Sequence, residues 1–300
     1  MTDHSKDPPV VSVRDADVGA VRSVLDRLLA DSLLYRSSSD FLELLDFVVR
    51  LRPFAPFNAM LLQIQKPGLS YAASAHDWLA RFDRWPKEGA RPLLILWPFG
   101  PVALVYDVLD TEGAPLPKDV ACFIAHGAMD EKTMASFRPL LTKSRIEVLL
   151  VDAGDSSAGL IRVVKRPAGK KEAGRYRIHL NRNHAPAVQF ATLTHELGHL
   201  YLGHLGPDAK LKIPSRGPLS HAQEEIEAES VAYILCERNG VESKSQTYLA
   251  SFVAEARTTA SEVDVYQVMR AAGQVEAVLG TGDRSSFDRP ARSRARPSPS

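Results

Sequence analysis

The 300-residue chain has little cysteine, no long apolar run and no excess charge of either sign. Its length excludes a disulfide-stapled miniprotein, and its two cysteines, Cys122 and Cys236, lie far apart and outside any C-x-x-C pair, so a reducing compartment is the simplest home. No stretch approaches the roughly 18 apolar residues of a membrane span. The opening MTDHSKDPPV carries charge and proline where a secretory signal needs a basic start and an apolar run. These absences predict a cytoplasmic protein with no membrane partner. Lys+Arg 37 against Asp+Glu 36 leaves a formal charge of +1, which argues against a polyanion binder that uses its whole surface but leaves a local basic face open.

What is present is ordinary for a folded chain: 45% hydrophobic and 24% charged residues. At roughly 150 residues per domain, the length predicts about two packed units. Residues 1–10 and 281–300 read as disordered tails, the second with five arginines, three prolines and five serines and almost nothing to bury. In residues 12–36 apolar side chains recur at helical spacing, and residues 41–51 repeat the stripe behind Ser39 as an N-cap. Further helices are expected over 57–65, broken by Lys66-Pro67-Gly68, and over 75–83. The period then changes, and 92–97 and 102–109 read as a hairpin across Pro98-Phe99-Gly100-Pro101. The turn-rich TEGAPLPKDV places a boundary between a first unit, 11–115, and a second, 116–280. The second unit predicts a helix over 132–142, strands near 147–151, 160–165 and 175–180, then three or four helices over 187–279. The fold class is therefore α+β, with helices and a small sheet followed by a small sheet and more helices.

The informative residues lie in ATLTHELGHLYLGHLG, where His195, Glu196 and His199 satisfy H-E-x-x-H. On a helix, positions i and i+4 share a face, so both imidazoles can bind one cation while Glu196, about 100° round the axis, can reach a water at it. The surrounding Phe190, Leu193, Leu197, Leu200 and Tyr201 mark the helix as buried, where three titratable groups are costly without partners or a metal. Gly198 would let another segment approach closely. His204, about 140° from His199 on a continuous helix, reads as part of the helix end with Gly206 rather than as a ligand. A third ligand is expected in HAQEEIEAESVAYILCE, where Glu224, Glu225, Glu227 and Glu229 compete. Glu225 and Glu229 both border the apolar side at i, i+4, so one can bind metal while the other steadies a histidine.

In HELGHLYLGH and EEIEAESVAYILC the chain resembles the ImmA/IrrE-like metallopeptidases, and more widely the gluzincins, in which H-E-x-x-H is followed on the next helix by a ligand glutamate. The resemblance implies a zincin-like domain binding Zn2+ through His195, His199 and Glu225, with Glu196 as general base and Glu229 beside the ligands. The family more often has Asn or Asp where Glu229 stands. The first unit resembles the N-terminal domain of ArdC-type antirestriction proteins in FNAMLLQIQKPG, AHDWLARFDRWPKEGARPLLILWP and VYDVLDTEGAPLP, and SQTYLASFVAEA and VDVYQVMRAAGQVEAVLG are similar to the ends of such proteins. That resemblance implies single-stranded DNA binding. The residues that would serve it are Arg81, Arg84, Trp85, Lys87 and Arg91, a basic cluster interleaved with Trp78, Phe82 and Trp97 that could stack bases or instead flank a core.

Two functions of different class follow. One is a zinc peptidase cutting a protein or peptide substrate, with Tyr201, Tyr233, His221 or Arg216 as a donor to the developing oxyanion and the strand over 175–180 offering its edge to an extended substrate. The other is a single-stranded-DNA-binding antirestriction protein whose zinc is structural or vestigial. An intact Glu196 favours the first, since a structural site has no use for a base beside its ligands.

Overall fold

The computed structural model describes residues 38–97, 100–116, 129–152, 159–169, 172–242 and 263–282. The expected helix over 12–36, both tails and the segment SQTYLASFVAEA lie outside them. Helix α1 (Ser38–Arg50) buries Phe41, Leu44, Leu45 and Val48 along one stripe, as its 3.6-residue period requires. Ser39 lies within this helix rather than capping it. Helix α2 (Pro56–Gln65) begins with proline at the position where a missing N–H and a fixed φ cost nothing. Two of its amides fasten it to a strand: Asn58 and Gln65 each donate to and accept from the backbone, of Leu96 and Leu94 respectively.

Strand β1 (Ala72–Ala73) leads into α3 (Ala75–Phe82), whose cap Ser74 accepts from the Asp77 N–H. Strand β2 (Arg84–Pro86) follows, then the expected hairpin of β3 (Leu93–Trp97) and β4 (Gly100–Asp107), with Leu94 opposite Leu104. The sheet order is β1-β4-β3, while β2 pairs antiparallel with β5 (Thr111–Gly113). Beyond these lie α4 (Glu131–Lys143), β6 (Ile146–Val151), β7 (Gly159–Lys165) and β8 (Arg175–Asn181). Then come α5 (Pro186–Leu202), α6 (His221–Arg238) and α7 (Val265–Leu279). The second sheet has the order β6-β8-β7, with β6 parallel and β7 antiparallel to β8. Strand β8 is thus central and both its edges are paired, so the expectation that it receives substrate is corrected; chain order does not disclose strand order. The free edge next to α5 belongs to β7.

A single large apolar cluster extends from Phe41 in α1 to Leu279 in α7 and includes buried residues of α5, α6 and β8, on both sides of residue 115. Its centre is also pinned by charge. Arg238, 2% exposed on α6, donates to the backbone carbonyls of Val48, Arg52 and Phe54 and to Glu276 of α7. These bonds satisfy a buried guanidinium and the open C-terminal end of α1 together. Replacing Arg238 by Met should lower stability by about 3–5 kcal/mol, because Glu276 and the carbonyls lose their donor in a dry core. Urea unfolding measures this, and a loss below about 1 kcal/mol would mean that the guanidinium is not the anchor.

Candidate metal centre

Helices α5 and α6 build the site, and Gly198 sets their separation. A Cβ at Gly198 would stand 3.2 Å from the Ala228 carbonyl oxygen and 3.4 Å from the Val231 Cβ, so the segment that this glycine admits is the α6 backbone. At that spacing Glu225 reaches both histidines, with carboxylate oxygens 3.5 Å from His195 Nε2 and 3.4 Å from His199 Nε2. The two Nε2 atoms face each other at 3.1 Å. One ligand atom from each of His195, His199 and Glu225 lies within 4.8 Å of the others, and among the described residues this is the group able to hold a metal ion.

The remaining nitrogens are occupied in a way that suits a cation. His195 Nδ1 lies 3.0 Å from Glu229, a contact in which the ring N–H donates to the carboxylate, and its Nε2 is turned inward. His199 Nδ1 contacts His204 Nδ1 at 2.9 Å. Two inward imidazole nitrogens and one carboxylate form the donor set of a three-ligand site with an open position, so the residues present fit a zinc ion.

Glu196 is buried next to these groups but stands outside the ligand set. Burial pushes its carboxyl pKa up, opposed by His195 and by the Ile161 backbone N–H on β7. Burial also disfavours a charged His195, but the carboxylates of Glu225 and Glu229 outweigh it and push the pKa up to about 9. His199 is driven the other way, to about 4, by burial and then by the neighbouring His195. Glu225 is held below the usual carboxylate range, chiefly by its bond with His195. In the cation-free protein the paired imidazoles thus hold one proton where a dication would sit.

The other expected donors separate. His221, at the start of α6, lies 3.6 Å from Glu225 and is open to solvent at the rim of the site. Tyr233 donates instead to Asp46 of α1 at 2.7 Å, a partner 187 residues away. Tyr201 is buried in the field of Asp208, which together with burial pushes its hydroxyl up to about 12. Arg216 is committed to a two-pronged pair with Glu227, at 2.9 and 3.0 Å. His204 follows the true helix cap, Gly203 at φ 87°, and its ring is buried against His199 and Glu227 rather than closing the helix with Gly206. The buried roles of His204 and Glu227 escaped sequence reasoning; the available signal was a fourth glutamate too deep on the apolar side of α6 to serve the helix N-terminus.

In the basic group of the first unit, Arg84 donates to Thr111 and Ala114 and Lys87 to the Leu109 carbonyl, so both close local loops. Trp78 is fully buried and donates to Tyr106, in a small cluster against which Phe82 packs. Trp85, half exposed and bonded to Glu112, and Arg81 and Arg91 remain at the surface.

Because a proton and a cation compete for His195, metal affinity should weaken about tenfold for each pH unit below 9, down to the range where the carboxylates protonate. Chelator-competition titrations at pH 6, 7 and 8 measure this. An affinity unchanged across that range would mean that no proton is displaced.

Residues 145–236 match the family model described as the IrrE N-terminal-like domain, Peptidase M78. No curated protein matches the sequence significantly. Among solved structures, the Mn(II)-bound antirestriction protein ArdC from the R388 plasmid aligns with a TM-score of 0.40 and 16% identity, over 87% of this chain and 97% of that one. Strands β6 to β8, helix α5 and all but the last two residues of α6, with all three candidate ligands, fall inside the matched segment, and residues 145–236 are thus similar to an IrrE N-terminal-like domain.

Proposed function

We propose that the chain is a cytoplasmic zinc-dependent peptidase acting on a protein or peptide substrate, with His195, His199 and Glu225 as zinc ligands and Glu196 as general base. The observation that carries this reading is Glu196: a carboxyl buried beside the converging donors, outside the ligand set, with its pKa raised towards the range a base needs. The matched peptidase-family segment supports it. A bound zinc ion supplies Lewis acidity at the peptide carbonyl and lowers the pKa of water at the site.

The chain's own residues do the rest. Glu196 takes a proton from the attacking water at its carboxylate oxygen and passes it to the leaving nitrogen as the C–N bond breaks, so that water is divided between the new carboxyl and the new amine. Glu229 holds the His195 ring by accepting its Nδ1–H. Of the four expected oxyanion donors, His221 suits the role best, since Tyr233 and Arg216 are bonded elsewhere and Tyr201 is buried beside Asp208. An extended substrate is received by the free edge of β7, which borders the site where the Ile161 N–H meets Glu196. No described helix is long and apolar enough to cross a membrane, and the described cysteine, Cys236, is buried and in no disulfide. A separate use of the first unit for single-stranded DNA would rest on Trp85, Arg81 and Arg91 alone, and no site geometry favours it.

Purified wild-type protein should contain about one zinc per chain, lost in His195→Ala. Glu196→Gln should keep the zinc and the unfolding temperature while hydrolysis of a randomised quenched-peptide library falls about 10²- to 10⁴-fold. Full hydrolysis by Glu196→Gln would remove the base from the reading, and a wild type that takes up no zinc on reconstitution would end it.

A further inference from the structure

A balanced net charge leaves room for a local basic face, and the second sheet has one that the reaction just described does not use. Strand β7 is the sheet edge beside the site, and its register with β8 says what that edge presents. Ile161, opposite Ile178, turns its N–H to Glu196 instead of to β8, so the backbone groups open on the free side are those of Gly159, Ile161 and Val163. Ile161 and Val163 pack their side chains against the main apolar cluster, and Leu160 and Arg162 therefore lie on the opposite, outer face. There Arg162 stands directly across from Arg177, and Lys165 across from Arg175. Like charges so placed destabilise a pair of strands, and acids relieve only part of this. Glu147 of β6 takes Arg177 at 2.7 Å, and Glu172 takes Lys165 at 2.7 Å. Arg162 is exposed, and among the described residues no ion pair or hydrogen bond reaches its guanidinium. Beside it Val164, 51% exposed, joins Arg145, Arg175 and Arg177 in an open groove of about 440 Å³.

A strand added to β7 shares its two faces. The residue opposite Arg162 then has its side chain on the outer face beside the guanidinium, while its neighbour, opposite Ile161, is held where the Ile161 N–H meets Glu196. We infer, resting on the peptidase reading, that this edge selects an extended acidic segment, with Asp or Glu opposite Arg162 and apolar residues two places to either side, beside Leu160 and Val164. The substrate supplies the acid that the fold withholds from Arg162, next to the backbone that Glu196 addresses. Edge pairing is made by the backbone and carries no such preference, so the charge at Arg162 is what distinguishes one peptide from another.

Fluorescent peptide pools of the patterns Leu-x-Glu-x-Leu, Leu-x-Gln-x-Leu and Leu-x-Lys-x-Leu, with randomised flanks, test it. Anisotropy on the full-length Glu196→Gln protein reads binding without cleavage, and the wild type reads hydrolysis of the same pools. The Glu pool should bind about three- to tenfold more tightly than the Lys pool, with the Gln pool between them. Adding Arg162→Glu, which also removes the like-charged pair with Arg177, should reverse that order, and Arg162→Gln should level it. Arg145→Glu makes the same change of charge ahead of β6, with β8 between it and the edge, and should move the preference less than about twofold at about 0.15 M salt. Equal binding of the Glu and Lys pools, an order that Arg162→Glu leaves in place, or an Arg145→Glu effect as large as that of Arg162→Glu would overturn the proposal. Hydrolysis without charge preference would also overturn it while leaving the peptidase reading intact. Charge-selective binding that Arg162→Glu reverses, with no hydrolysis by the wild type, would instead overturn the peptidase reading and leave the strand site standing.

Discussion

The close approach of α5 and α6 at Gly198 and Ala228 is the constraint on which the site depends, because neither helix holds a complete ligand set. Helix α5 alone supplies two imidazoles one turn apart, and α6 alone supplies glutamates without a cation. Any side chain at Gly198 would have to displace the α6 backbone or Val231 by several tenths of an ångström, and Glu225 would withdraw with it. Glycine in a helix interior costs roughly 1 kcal/mol relative to alanine. The geometry shows what that cost achieves: three ligand atoms gathered within 4.8 Å.

Holding α6 in that place takes the rest of the molecule. Its far end is fixed by Arg238 to the end of α1 and to α7, and its middle by Tyr233 to Asp46. Its first turns are fixed by the Ser220–Gln223 capping box and by Glu227, whose partners come from the loop after α5 and from the start of α7. The N-terminal helices described are therefore part of the support of the candidate metal centre, even though they bring no ligand to it. A defect at Arg238, remote from the histidines, would loosen the same helix that carries Glu225.

How much of this could be read from the sequence follows from the range of each interaction. His195, Glu196 and His199 were legible because one helical turn brings i and i+4 together, and a local period is printed in the sequence. The hairpin of β3 and β4 and strands β6, β7 and β8 were legible for the same reason, through β-rich runs between turn formers. Glu225 needed the family resemblance to single it out, since the register of one helix against another is not local. The partner of Tyr233, the arginine pair of Glu227 and the central place of β8 were illegible because each depends on packing between distant segments. His204 stays outside the ligand group as expected, but its contact with His199 was illegible because the angular argument assumed a continuous helix, whereas the chain turns at Gly203 into the left-handed region and brings the ring back against His199.

The charges at the site are arranged in two separate systems, and the separation has a physical reason. Glu227 and Arg216 neutralise each other in the interior, so the polar groups behind His199 neither add to nor draw on the charge at the ligands. In front, the carboxylates of Glu196, Glu225 and Glu229 crowd two imidazoles. These carboxylates outweigh burial and keep a proton on His195 well above its ordinary range, while burial and then that charged neighbour make His199, one turn on, give its proton up. A dication would offset those carboxylates more completely than one proton can, at the point where the two Nε2 atoms face each other. Burial raises the pKa of Glu196 and Glu225 adds a smaller push against the opposing His195, and so a carboxylate that favours cation binding also tunes the carboxyl that would act as base.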